Sequence, residues 1–256
     1  MGIKVLHVNI RNWKSNNYLL KFSLSDSNPD IILLNELSLD NNVVPKIKGY
    51  KVCFKCIERY SGVAILVKHI HKHTFLEFTN NNILAIKLYT NLGPLYIVTS
   101  YTPPRYNSIP TIEINHILNK NIPTLIISDF NARHPTFHNS NITNTNHFGR
   151  QLHNLCNSRN LDYLGPDFNT FRNNINVGKP DLVIANNQFR IFHNRISEGR
   201  GVGSDHLPII MEISMVPIRI ICNPRIIIDK IDARKFKEEL EKRFFGIIGR
   251  QGLYRN

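Results

Sequence analysis

PTLIISDFNARH, residues 123–134, sets a short apolar run between abrupt polar boundaries. Thr124, Leu125, Ile126 and Ile127 follow a proline and are partly β-branched, which predicts a short buried strand. The run stops at Ser128, Asp129, Phe130 and Asn131. A carboxylate and an amide two residues apart share one face of an extended backbone, at the kind of strand end where ligands collect in α/β sheets. An ordinary Asx turn would end a strand in the same way. Matching polar strand ends elsewhere in the chain decide between the two.

Such ends recur. Residues 3–10, IKVLHVNI, alternate apolar and polar and reach Asn9 near the end of a first strand; residues 30–36, DIILLNE, form a second run that ends at Glu36. Residues 62–67 read as a strand, and 83–89 and 95–99 as a hairpin closed by the turn signal NLGP at 91–94. The hairpin's second strand runs out at SYTPP, where the prolines stop the ladder and hold Tyr101 at the strand's edge. Residues 181–185, DLVIA, carry their acid at the start, and an antiparallel neighbour can bring Asp181 to the rim where other strands end. A strand over 189–197, a glycine-containing loop at 199–203 and a last strand over 207–213 follow, with Ser204, Asp205 and His206 just before the latter. Helices are expected at 18–24, capped from Ser15, Asn16 or Asn17, at 111–118, and at 147–160, where Phe148, Leu152 and Leu155 share a face.

Composition narrows the classes. A chain of 256 residues with 42% hydrophobic residues suits one substantial core, which predicts a single domain over 1–217 and a basic appendage or linker over 218–256. Lys and Arg total 32 against 19 Asp and Glu, and the resulting +13 suits a polyanionic partner. Four scattered cysteines, including the lone CxxC of Cys53 and Cys56, point to a reducing compartment and to packing or surface thiols rather than a zinc site. Neither a membrane-length apolar run nor the three-part layout of a cleavable signal is expected. Most of the eleven histidines, among them His69, His71, His73 and His138, read as surface residues.

Carboxylates gathered at one end of a basic protein need a reason, because like charges repel and burial raises their cost. A hard divalent cation supplies one, and oxygen donors such as Glu36 and Asp205 suit Mg²⁺. VNIR with Asn9, LLNE with Glu36, SYTPP with Tyr101, SDFNARH with Asp129 and Asn131, NTF with Thr170, PDLVIAN with Asp181, and SDH with Ser204, Asp205 and His206 stand in the order of the exonuclease-endonuclease-phosphatase superfamily, which the chain resembles over residues 3–213. Within it, SYTPP and SDFNARH resemble the endonuclease domains of non-LTR, jockey-like retrotransposons.

The resemblance implies a four-layer α/β sandwich, two packed mixed β-sheets flanked by helices, with the site at their shared rim. It implies a Mg²⁺-dependent nick in double-stranded DNA, Mn²⁺ substituting, that leaves a 3′-hydroxyl to prime reverse transcription. It further implies a reverse transcriptase in the same polyprotein and a nuclear site of action, with no membrane partner. Glu36, Asn9 and Asp205 would hold the metal. Asp129 would orient or deprotonate water with Asn131 beside it, His206 paired with Asp181 would donate to the phosphate, and Tyr101 would donate from its phenol. Arg105, Arg133, Arg172 and Arg200, with Thr170 and Ser204, would grip DNA. An abasic-site repair nuclease, a phosphatase of the same superfamily and an inactive nucleic-acid-binding relic are the rival readings.

Overall fold

The computed structural model describes residues 2–39, 43–56, 61–138, 144–220, 232 and 235–239. Its elements, in chain order, are β1 (Ile3–Asn9), α1 (Trp13–Ser27), β2 (Ile31–Asn35), β3 (Tyr50–Lys55), β4 (Val63–Lys68), β5 (His73–Leu76), β6 (Ile83–Thr90) and β7 (Gly93–Ser100). Then come α2 (Thr111–Leu118), β8 (Thr124–Asp129), α3 (His147–Arg159), β9 (Leu161–Gly165), β10 (Phe171–Arg172), β11 (Val177–Gly178), β12 (Asp181–Asn186), β13 (Asn194–Glu198) and β14 (Ile209–Ile213).

Two six-stranded mixed sheets result, in the orders β13-β14-β1-β2-β4-β3 and β5-β6-β7-β8-β12-β9. Alternation along each strand separates two faces. Ile3, Val5, Ile31, Leu33 and Ile65 of the first sheet meet Leu84, Ile97, Leu125, Ile127 and Val183 of the second in the central core. The residues between them face outward: Leu6, Val8, Ile32 and Leu34 pack under Trp13, Leu20 and Leu24 of α1. On the far side, Val98, Ile126, Leu182 and Ile184 pack under α2 and α3. Helix, sheet, sheet, helix is the four-layer α/β sandwich expected.

Inner-face positions change chemistry along each strand. β1 runs Ile3, Val5, His7, Asn9; β2 runs Ile31, Leu33, Asn35; β8 runs Leu125, Ile127, Asp129. All are buried, so the core is apolar toward one end of the sandwich and polar toward the other. Asp181 pairs directly with Asp129 across the antiparallel β12 and β8, as an acid at a strand's start requires.

Several local expectations change. α1 begins earlier than residues 18–24, with Asn12 as its cap accepting from the Ser15 N–H, because Trp13 is drawn into the core. Residues 189–197 are not one strand: a 3₁₀ turn over Asn187–Ile191 precedes β13 and lets Phe189 and Phe192 pack together in the core. β3 and β5 are additional strands, each at a sheet edge. His71 and His138 are buried rather than on the surface, and His71 Nε2 sits 2.8 Å from Asp30.

Cys53, Cys56 and Cys156 are unbridged. No helix among the described residues is long and apolar enough to cross a membrane. The chain divides into compact units at 1–220 and 221–256. Residues 218–220 belong to the first, where Ile218 N–H donates to the Tyr89 carbonyl and Ile220 N–H to that of Ile70. The predicted character of 221–231, 233–234 and 240–256 lies outside the described residues.

Candidate active site

At the polar rim, strand ends from both sheets lock together through side chains. Asn9 Nδ2, at the end of β1, donates to Glu36 Oε2 at 3.0 Å and to Asp129 Oδ2 at 2.8 Å, so one amide ties together the carboxylate just after β2 and the one that ends β8. Tyr101 donates its phenolic proton to the same Glu36 oxygen at 2.9 Å. Asn131 N–H donates to Asp129 Oδ1 at 3.0 Å, while the Asn131 amide is anchored on the Thr102 carbonyl.

A second cluster adjoins the first. His206 Nδ1 lies 2.7 Å from Asp181 Oδ2, and His7 Nε2 lies 3.0 Å from Asp181 Oδ1. An ionised carboxylate only accepts, so both imidazoles present N–H to it. That assignment leaves Nε2 of His206 for the cleft of about 480 Å³ that His206 lines with Asn131, Arg133, Phe171 and Lys179. The Phe171 ring meets His206 edge-on at 5.1 Å.

Backbone conformation is strained around these groups. Arg11, Glu36 and Asn131 have φ of 60°, 53° and 49°. Non-glycine residues in the left-handed region each cost about 1 kcal/mol or more and persist where surrounding contacts over-determine them. Here those contacts are the hydrogen bonds just described, together with Arg11 N–H on Asn9 Oδ1.

Burial and neighbouring charge set the protonation states. Asp129 is pushed up to about 7, first by burial and then by the facing Asp181 carboxylate. Burial pushes the His206 imidazole down, but Asp181 outweighs it and holds His206 at about 9. Burial would raise Asp181, yet His206 and His7 keep it well below the usual carboxylate range. The Tyr101 phenol is lifted far above its ordinary value by burial, then by Asp129 and Glu36, and remains a donor. The rim therefore offers a near-neutral acid, a cationic imidazole and a protonated phenol within one hydrogen-bonded assembly.

Asp129, Asp181 and His206 bring three ligand-type atoms within 4.8 Å of one another and could bind a metal. All four carboxylate oxygens in that set already accept protein hydrogen bonds. Glu36 differs: the bonds from Asn9 and Tyr101 both fall on Oε2, and Oε1 accepts none among the described residues. Asp205 is half-buried and held by Arg11 Nη1 at 2.9 Å. Glu36, with the Asn9 amide on its other oxygen, and Asp205 are both hard oxygen donors of the kind that suit a divalent cation.

The expected DNA-gripping residues separate into two groups. Arg105, Arg133 and Arg172 are exposed beside the rim, the first two on loops and Arg172 at the end of β10: Arg105 borders a cleft with Tyr101, Arg133 lines that of His206, and the Arg172 N–H donates to the Asp205 carbonyl. Three others are corrected. Thr170 is wholly buried and its hydroxyl accepts from the Asp181 N–H, so it holds the backbone of Asp181 and is not on the surface that would face DNA. Ser204 spends its hydroxyl inside, donating to the Asn9 carbonyl and accepting from the His206 N–H. Arg200 pairs with Asp26 and stacks on Phe22 near the last turns of α1, about 20 Å along the helix from its start beside the rim.

His7, Arg11 and Asn35 are site residues that sequence reasoning missed. Asn35 accepts the Asp129 N–H and donates to Thr99, crossing between sheets beneath the carboxylates. The available signal was the run of polar residues at alternate positions 7 and 9 of a strand otherwise apolar on that face.

Residues 95–210 match a family model described as endonuclease-reverse transcriptase. A comparison with curated proteins finds no match. Among solved structures, the endonuclease domain of TRAS1, a telomere-specific non-LTR retrotransposon, superposes with a TM-score of 0.68 at 18% identity, covering 83% of this chain and 98% of that one. The catalytic domain of Xenopus laevis APE2 gives 0.66 at 17% identity, covering 85% and 94%. The 3′-5′ exonuclease NExo from Neisseria meningitidis gives 0.63 at 16%, covering 82% and 99%. The chain has the fold of the exonuclease-endonuclease-phosphatase superfamily and resembles, in sequence over residues 95–210, its endonucleases joined to reverse transcriptases.

Proposed function

We propose that the chain is a Mg²⁺-dependent endonuclease that nicks one strand of duplex DNA and leaves a 3′-hydroxyl from which reverse transcription starts, within a retrotransposon polyprotein that acts in the nucleus. The observation that carries this reading is the joining of Asn9, Glu36, Tyr101 and Asp129 in one hydrogen-bonded chain beside the Asp181–His206 pair. Glu36 and Asp205, with Asn9 beside them, would hold the cation, which when bound neutralises charge on the phosphate and the leaving oxygen. Asp129, near neutral in affinity for a proton, takes one from the attacking water, and Asn131 fixes the geometry of that carboxylate. His206 carries positive charge at physiological pH and donates from Nε2 to a non-bridging oxygen, steadied by Asp181. Tyr101 holds its proton and steadies Glu36. Arg105, Arg133 and Arg172 contact the DNA backbone.

Conversion of supercoiled plasmid to open circle tests the reading. Nicking is expected with Mg²⁺, is expected to vanish in EDTA, and should fall at least about a thousandfold in Asp129→Ala and His206→Ala, the scale of losing a general base or a positioned charge. Nicking that persists in EDTA or in both variants would sink it. The structural likeness to an APE2 catalytic domain supports a second reading, abasic-site cleavage. Preference for an abasic duplex over an intact one of the same sequence would favour that alternative.

A further inference from the structure

The opposite rim of the sandwich is built differently. From Asp30 to Glu36 the chain crosses from that rim to the active site, about 20 Å at 3.3 Å per residue. Four segments meet there: Gly49 accepts the His69 N–H, Tyr50 pairs with Lys68, His73 pairs with Leu88, Tyr89 donates to the Lys72 carbonyl, and His71 pairs with Arg219. Residues 48–51, 67–74, 87–93 and 214–220 together carry five lysines, one arginine and three histidines and no Asp or Glu. The acid that reaches this rim, Asp30, is already engaged by Lys68, His71 and the Lys4 N–H. Lys51, Lys72, Lys87 and Arg219 make no ion pair among the described residues.

We propose that this rear rim is a second nucleic-acid surface, which takes the phosphate backbone of a single strand independently of the catalytic cleft. Two ammonium groups are concentrated on one ring, Lys72 Nζ at 5.2 Å and Lys87 Nζ at 5.4 Å from the half-buried Tyr89. A chain of phosphates passing over Tyr89 would meet both cations. Tyr89 and the exposed His69 interleave rings with the cations, the combination that suits stacked bases on a basic track rather than a rigid duplex. Five apolar side chains, Ile70, Leu92, Val216, Ile218 and Ile220, are 37–60% exposed among these cations, so an anionic lipid surface is the competing occupant, which vesicle binding distinguishes. This surface is separate from the front site, and its occupancy does not depend on the nuclease reading.

Binding of labelled oligo-dT and oligo-U to the full chain, titrated over salt concentration, tests the inference. Lys51→Glu, Lys72→Glu, Lys87→Glu and Arg219→Glu combined should weaken binding at least about tenfold and reduce the magnitude of the log–log salt slope by about 3, because each phosphate neutralised on a single strand adds ~0.7 to it. Lys120→Glu, at an exposed lysine outside both surfaces, should leave both nearly unchanged, and a short duplex seated in the front cleft should not displace the oligonucleotide. A Lys72→Gln, Lys87→Gln pair, checked against the parent's melting temperature, should weaken binding in the same direction and reduce the slope by about 1.4, should the fourfold change unfold the chain. Parental affinity and slope in a folded variant, full displacement by the duplex, or binding to phosphatidylserine vesicles without binding to either oligonucleotide would overturn it. A chain that binds at the rear but never nicks plasmid would remove the proposed function and leave this surface standing.

Discussion

His7 shows what one buried side chain can decide. It is an inward position of β1, wholly enclosed, and its Nε2–H is the second donor to Asp181 while its Nδ1 has no partner among the described residues. Without it, one Asp181 oxygen would be buried with no donor, a loss of about 1–3 kcal/mol. His7→Leu is expected to lower the nicking rate roughly tenfold and to destabilise by about 2 kcal/mol. His7→Gln, which returns an amide N–H, should recover most of the rate. Equal rates in the two variants would show that His7 only fills space. In the sequence His7 is one of eleven histidines, indistinguishable from the rest. Asp129, Asp181 and His206 were legible because each stands at a strand boundary in a motif, whereas the value of His7 arises only when the second sheet sets Asp181 opposite it.

At the scale of elements, α3 anchors the loop that carries Asn131 and Arg133. Its cap Asn146 accepts from the Gly149 and Arg133 N–H groups and donates to the Asn131 carbonyl at 2.7 Å. The helix lies so close that a Cβ on Gly149 would sit 1.9 Å from the Arg133 carbonyl oxygen. Gly149→Ala is therefore expected to cost about 3 kcal/mol, opposite in sign to the usual gain of about 0.4–1 kcal/mol when a helical glycine becomes alanine. Asn146→Ala should cost about 1 kcal/mol in urea unfolding and weaken nicking through Asn131. A Gly149→Ala protein as stable as the parent would contradict the close approach. The periodicity of Phe148, Leu152 and Leu155 announced this helix, but nothing in it announced the contact. Elements whose burial depends on distant packing were the ones misread: the edge strands β3 and β5 are only partly buried, and the Phe189 turn follows the core rather than local propensity.

For the whole molecule, joining two sheets at a charged rim makes stability depend on pH. His206 is raised from 6.5 to about 9, so its pairing with Asp181 contributes fully below about pH 6.5 and is lost as pH climbs through 9. Asp129, raised from 3.8 to about 7, acts in the same sense over a lower window, since its ionisation is penalised in the fold. Stability in EDTA should fall between pH 6.5 and 9, by about 3 kcal/mol at most, and Asp181→Asn should flatten that slope. An unchanged slope in Asp181→Asn would refute the assignment. The order of strands and helices, the rim acids and the positive balance could all be read from the chain, because strand periodicity, turn residues and formal charge are local or additive properties. Which polar groups share a hydrogen bond, which arginines reach the rim, and the gathering of cations at its opposite end were decided by the packing of two sheets, because those relations join residues far apart in sequence and depend on register.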